Sequence, residues 1–339
     1  MPENSTLLWE NAAWQKQAHV WIREMASQKG IQLMGEIRQP HIRHWSTVME
    51  VDSDGGKIFF KATASETIYE IALTEKLAMW QPDDMPDLIA VDATCGWLLL
   101  RDGGKQLRAS IRPTKDIRPW EPVIRRYAEL QIELVQHVDQ MLTVGIPDRR
   151  LNVLPALLVD LLSDEKSILL GQEKGLSAEE YQQCLDYKPR FKEICSELDA
   201  IGIPASINHG DFHDANILVK DGCITFFDWG DADITHPFVS LRTFFVSIEM
   251  SLELDDYEFT PEMAALLDIY QKPFEAYASK DNLLKAFELS KPVSSLITAL
   301  KWRESIARMT ESMRAENKWI VPEVLREFLH HMSAFDGQV

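Results

Sequence analysis

Cysteine is scarce, and none of the four, Cys95, Cys184, Cys195 and Cys223, stands in a C-x-x-C pair. Neither a zinc site nor a disulfide framework organises such a chain, and the four read as small buried thiols. Glycine and proline are also few, 15 and 16 in 339 residues, which removes collagen-like and low-complexity classes. No apolar run approaches the roughly eighteen residues needed to cross a bilayer. The start of the chain, Met1 to Glu10, lacks the basic and apolar stretches of a signal peptide. A cytoplasmic protein with no membrane partner is expected. Basic side chains are outnumbered, 35 against 53, and the resulting net charge of −18 repels phosphate backbones, so nucleic acid is not an expected partner.

What is present is an ordinary globular composition, 45% hydrophobic and 26% charged. At about 100 to 200 residues per domain the length predicts two domains or a two-lobed unit. Apolar residues at Trp14, Ala18, Trp21, Ile22 and Met25 predict a first helix stopped by Gly30. Short segments of strand character follow at 31–37, 45–51 and 57–63, the last two joined by the turn Asp52-Ser53-Asp54-Gly55-Gly56. A helix over 67–80 and two further strands, 88–92 and 97–101, complete a small antiparallel lobe. The pair Gly103-Gly104 reads as a hinge. Beyond it the periods are helical, at 123–141, 151–162, 181–200, 238–252, 261–278 and 292–313, apart from one island of strand at 204–228. The expected architecture is α+β, with a nucleotide-binding lobe and its leading helix at 1–101 and a mainly helical lobe at 102–339.

The island carries the chemistry. Asp221-Gly222 between two apolar runs is a strong hairpin signal, and a turn there sets Asn216, at the start of one strand, within a residue or so of facing Asp228, at the end of the other. A carboxylate and an amide oxygen side by side suit magnesium, which takes a few protein oxygens and completes its shell with water and phosphate. Asp211 lies five residues before Asn216, close enough to address a hydroxyl beside that ion. In the N-terminal sheet, hairpin pairing sets Lys61 opposite about Thr47, with its ammonium toward a cavity under the Arg38 to His44 loop. Glu70, early in the following helix, is placed to hold that ammonium on a phosphate.

Together these residues resemble the aminoglycoside phosphotransferase-like and choline kinase-like small-molecule kinases, which share the protein kinase fold. The resemblance covers nearly the whole chain. Its sharpest parts are His209-Gly210-Asp211 with Asn216 at the fifth following position, similar to the catalytic loop, and Asp228-Trp229-Gly230, where such kinases carry their Asp-Phe-Gly metal motif. Leu98 to Gly104 looks like the connector between lobes, and His236-Pro237-Phe238 is a further, looser match. The resemblance implies a protein kinase-like two-lobed fold and transfer of the γ-phosphoryl group of ATP or GTP to a hydroxyl of a small aminoglycoside-like or amino-alcohol-like acceptor. Asp211 would orient that hydroxyl or accept its proton, Asn216 and Asp228 would hold magnesium, and Lys61, positioned by Glu70, would contact the phosphates. The connector near Leu99 and Arg101 would meet the nucleotide. One departure is the 38–44 loop, which has no glycine, so Ser46 or Arg43 would stand in for a Gly-rich flap.

Two other readings compete. The same fold without catalysis would be a nucleotide-binding pseudokinase, and His209, Asp211, His213 and Asp214 could be read as a hydrolase metal cluster, although that leaves Lys61 and Glu70 unexplained. His209 reads instead as a buried structural histidine, Asp231 and Asp233 as solvated or helix-capping, and Trp229 as a residue lining the site. The eight residues from Asp228 to His236 leave little room for the long segment on which protein kinases dock peptides.

Overall fold

The structure is a computed structural model that describes residues 7–254 and 258–336, so part of the Met1 to Glu10 stretch lies outside the described residues. Two compact units emerge: residues 1–113 with 144–146 and 214–230, and residues 114–143 with 147–213 and 231–339.

The first unit begins with α1 (Ala12–Gln28), whose start is capped by the Asn11 side chain accepting from the Ala13 and Trp14 amides. Trp14, Ala18, Ile22 and Ala26 recur every four residues and form its buried stripe. Strands β1 (Leu33–Ile42), β2 (Ser46–Ser53) and β3 (Gly56–Thr63) follow, then α2 (Tyr69–Trp80), β4 (Leu88–Asp92) and β5 (Trp97–Arg101). The five strands form an antiparallel sheet in the order β1-β2-β3-β5-β4. Strand alternation sends Ile58, Phe60 and Ala62 into the core under α1, where Phe60 meets Trp14, Trp21 and Trp97 at centroid distances of 5.7 to 6.3 Å. Lys61 therefore belongs to the opposite face.

Two local readings are corrected here. β1 runs on to Ile42, so the expected 38–44 loop shrinks to a turn at 43–45, closed by the Arg43 amide donating to the Ser46 carbonyl. Lys61 pairs with Val48, one residue from Thr47, because the turn is tighter than the glycine-rich sequence suggests: Ser53 already faces Gly56.

After β5, a short strand β6 (Lys105–Gln106) and a helical turn α3 (Arg108–Ile111) remain in the first unit. The chain then builds the second unit with α4 (Trp120–Leu134), α5 (Val138–Thr143), α6 (Leu154–Ser163), α7 (Ala178–Asp186), α8 (Lys188–Ala200) and β7 (Ser206–Asn208). It returns to the first unit as the hairpin β8 (Ile217–Lys220) and β9 (Cys223–Phe226), with β6 alongside β8. It ends in the second with β10 (Asp233–Thr235), α9 (Leu241–Leu252), α10 (Pro261–Gln271), α11 (Lys280–Arg308), α12 (Glu311–Asn317) and α13 (Ile320–Ser333).

Proline explains one difference from periodicity: the expected 181–200 helix divides at Tyr187, where Pro189 occupies the first turn of α8. Pro292, by contrast, does not open a helix; α11 runs through it from a Ser279 cap, because its long buried face outweighs one lost backbone bond. Gly103 and Gly104 gain a packing role. A Cβ on Gly103 would lie 2.6 Å from the Leu218 side chain, and on Gly104, with φ +107°, 2.4 Å from the Val219 carbonyl oxygen. Only two thiols are buried: Cys184 and Cys195 are enclosed, their pKa values pushed up to about 12 by burial, while Cys95 and Cys223 are exposed. Among the described residues no helix is long and apolar enough to cross a membrane.

His236, in the second unit, caps the turn before α9 by accepting from the Phe238 amide at 3.3 Å, and burial pushes its pKa down to about 3. The unfolded chain binds this proton near the ordinary value of about 6.5 while the folded chain resists it, so stability falls as pH drops through that window. The slope is about 1.4 kcal/mol per pH unit, or about 2 kcal/mol by pH 5. Urea midpoints at about pH 7 and pH 5 check this: the drop should shrink in His236→Asn, which can keep a capping oxygen but does not titrate. An unchanged drop would remove His236 from the account.

Candidate active site

The first unit brings three of the expected residues into direct contact. Lys61 Nζ lies 2.5 Å from Glu70 Oε1 and 2.5 Å from Asp228 Oδ1. Glu70 is buried in the first turn of α2, and an ammonium is the partner that makes a buried carboxylate tolerable. Burial works against the charged form of Lys61, but Asp228 and Glu70 outweigh it and hold its pKa above the ordinary value. Tyr69, next to Glu70, donates to the Gly230 carbonyl at 2.6 Å, and a Cβ on Gly230 would come within 3.0 Å of Glu70 Oε2. Thus α2 is fastened directly to the segment after Asp228.

The hairpin takes the expected register. Ile217 faces Phe226 and Lys220 faces Cys223, with Asp221 and Gly222 both at positive φ in the turn. The ladder continues one step, the Phe227 amide donating to the Asn216 carbonyl at 3.2 Å, so the backbones of Asn216 and Asp228 are offset by one position. Asp228 has φ +67°, the left-handed region that non-glycine residues adopt at a cost, and its side chain is 45% exposed. The chemistry of the pair, one carboxylate and one amide oxygen, is of the kind magnesium takes, and the Asp228 carboxylate already draws the ammonium of Lys61. The residues fit a magnesium ion.

The connector is distributed differently. Leu99 is fully buried in the α1 core and paired on both sides, so it is not brought to the Lys61 cluster. Register gives the Lys61 face Leu98 and Leu100 instead, opposite Lys61 and Phe59 respectively. Arg101 ends β5 opposite Ile58, with its guanidinium near Gly55.

Asp211 belongs to the second unit, and it pairs there with His213 Nε2 at 3.1 Å. The loop that holds it is tightly determined. The His209 amide donates to the Tyr127 hydroxyl at 3.0 Å, and the Tyr127 ring stacks on Phe212 at 3.9 Å, so one tyrosine grips both sides of Asp211. Gly210 has φ +80°, and a Cβ there would stand 1.9 Å from the Asp231 carbonyl oxygen and 2.1 Å from Lys301 Nζ, so only glycine fits. Asn208 donates to Asp233 at 3.1 Å and accepts from Ser240 at 2.7 Å.

Asp233 corrects the sequence reading. It is not solvated but fully buried, salt-bridged to Arg149 and Lys301, both at 3.0 Å, and Arg149 reaches on to Glu304 at 2.8 Å. Trp229 is likewise buried in the core, donating to the Phe226 carbonyl at 3.3 Å, rather than lining a site. His209 is buried, as expected. The hydrolase cluster does not assemble, since Asp214 is buried against Arg108 and Arg112 and no group of three His, Cys, Asp or Glu is set for a metal among the described residues. Tyr127, Arg149, Lys301 and the role of Asp214 are invisible to sequence reasoning, because each acts on a partner 68 or more residues away and no local spacing announces it.

Comparison with known proteins agrees with this fold. Residues 97–246, which include the loop from His209 to Asn216 and Asp228, match the model of the phosphotransferase enzyme family. No curated protein sequence matches significantly. Among solved structures, a choline/ethanolamine kinase family protein from Mesorhizobium loti is 15% identical with a TM-score of 0.56, covering 89% of this chain and 92% of its own. A macrolide 2'-phosphotransferase type I is 12% identical with a TM-score of 0.54, covering 92% and 97%. An amicoumacin kinase solved with AMP-PNP and Ca2+ is 11% identical with a TM-score of 0.53, covering 92% and 96%. In the segment 97–246 by sequence, and over most of its length by fold, the chain is therefore similar to the aminoglycoside phosphotransferase-like and choline kinase-like enzymes, with their α+β, protein kinase-like architecture.

Proposed function

We propose that the protein is a small-molecule kinase that transfers the γ-phosphoryl group of ATP or GTP to a hydroxyl of a small acceptor. The observation that carries this reading is the Glu70–Lys61–Asp228 contact, which joins residues 167 positions apart in an arrangement suited to phosphate and a divalent ion. Lys61, oriented by Glu70, binds nucleotide phosphate. Phe59 and Leu100 share its sheet face and offer apolar surface to the base, whereas Arg101, opposite Ile58, has the parity of Leu99 and is not assigned to the nucleotide. Asn216 and Asp228 hold magnesium, which when bound neutralises charge on the phosphates. Asp211 accepts a hydrogen bond from the acceptor hydroxyl and aims its oxygen; an ordinary carboxylate is a weak base for an alcohol, so its contribution is chiefly orientation.

A small acceptor is favoured over a protein by the segment after Asp228. It turns at once into β10, which pairs with β7 through Asp233 opposite Asn208, leaving no extended activation segment. The test is nucleotide consumption with magnesium across choline, ethanolamine, homoserine, aminoglycosides, macrolides and sugars, beside thermal denaturation. ATP or GTP with magnesium should raise the melting temperature, by the equivalent of about 2.7 kcal/mol at a hundredfold excess over Kd, and one acceptor class should sustain turnover. Stabilisation without turnover on any hydroxyl compound would favour the pseudokinase. No stabilisation by either nucleotide would overturn the reading.

A further inference from the structure

Asn216 stands at the junction between the catalytic loop and β8, where its carbonyl accepts from the Phe227 amide and a metal ligand depends on the backbone around it being fixed. That constraint comes from the segment following Gly104. Lys105 and Gln106 pair with Val219 and Leu218, the Leu107 amide donates to the Ile217 carbonyl at 2.9 Å, and the Arg108 amide donates to the Asp214 carbonyl at 3.0 Å. The last two bonds bracket residues 215 and 216. Arg108 then grips the same residue a second time, its Nε and Nη2 donating to Asp214 Oδ1 at 3.1 and 2.8 Å, while Arg112 Nε reaches Oδ2 at 3.4 Å.

The Asp214 side chain is 1% exposed, and the guanidinium groups of Arg108 and Arg112 compensate its buried charge. Asp214 is not a ligand candidate itself: its carboxylate is occupied by guanidinium groups, and it lies two residues from Asn216 on the chain. Arg108, Arg112, Asp214 and Asn216 all belong to the first unit. We propose that the Arg108–Asp214 pair is a positioning clasp that presets the backbone of Asn216 for metal coordination, so that breaking it weakens the divalent ion rather than the nucleotide. This rests on the kinase reading above.

The test is calorimetric titration of the full chain with ATP, once in EDTA and once in excess Mg2+, for wild type, Arg108→Gln and Arg108→Lys. Arg108 is partly exposed, so its replacement spares the core. In Arg108→Gln the gain in ATP affinity on adding Mg2+ should fall about tenfold while metal-free affinity stays as in wild type, and Arg108→Lys should recover part of the gain. A merely structural role would lower both affinities together. Equal loss in both conditions, or an unchanged Mg2+ gain, would overturn the clasp with the kinase reading intact. Failure of wild type to bind ATP in either condition would remove both.

Discussion

Asp211→Asn is expected to leave affinity for ATP with magnesium within about twofold of wild type while lowering kcat by about a thousandfold. Asp228→Ala is expected to lose both. The two carboxylates differ in what they touch. Asp228 sits on the Lys61 ammonium within the first unit, beside the hairpin that carries Asn216, so truncating it removes the proposed metal donor and one of the two counter-charges of Lys61. Asp211 lies on the loop in the second unit, paired with His213, and the asparagine keeps the shape while losing the charge that aligns an attacking hydroxyl. Stopped turnover with calorimetric binding separates the two effects. If Asp211→Asn lost nucleotide affinity as badly as Asp228→Ala, the assignment of roles would be wrong.

The largest effect on stability is expected at Asp233. Its replacement by Ala leaves Arg149, 4% exposed, and Lys301, 15% exposed, without the carboxylate that compensates them, and Glu304 neutralises only one. Breaking a buried pair by deleting one partner costs about 3 to 5 kcal/mol. Urea denaturation should show a loss of that size, with exposed Glu24→Ala as a neutral comparison. Activity should fall as well, because Asp233 holds Asn208 and Lys301 abuts Gly210, immediately before Asp211. A loss below about 1 kcal/mol would mean that water reaches the two cations and that Asp233 is not their essential partner.

The structure bears out the sequence where the interactions are short in range. The Asp221-Gly222 turn dictates the register of the 217–226 hairpin because a two-residue loop leaves one pairing for each flanking residue. The strands at 88–92 and 97–101 and the period of α1 were legible for the same reason: alternation and fourfold spacing express burial of one face. Where sequence reading shifted, a nonlocal term prevailed. Pro292 lies inside α11 because a long face buried against the rest of the second unit outweighs one missing amide. Leu99 turned inward because the parity of β5 is set by pairing with β3 and by the aromatic core beneath α1.

By itself the sequence determined the α+β architecture, the hairpin that offsets Asn216 and Asp228 by one position, and the candidacy of Lys61, Glu70 and Asp211, since each follows from spacing within about twenty residues or from the resemblance those spacings carry. Only the tertiary structure decided that Lys61 meets Asp228 across 167 residues, that Asp233 is a buried counter-charge to Arg149 and Lys301, and that Arg108 clasps Asp214 across 106. Periodicity records how a side chain divides between water and core, and says nothing about which distant charge it meets there. That choice is made when burial raises the cost of an unpaired charge and only one geometry supplies its partner.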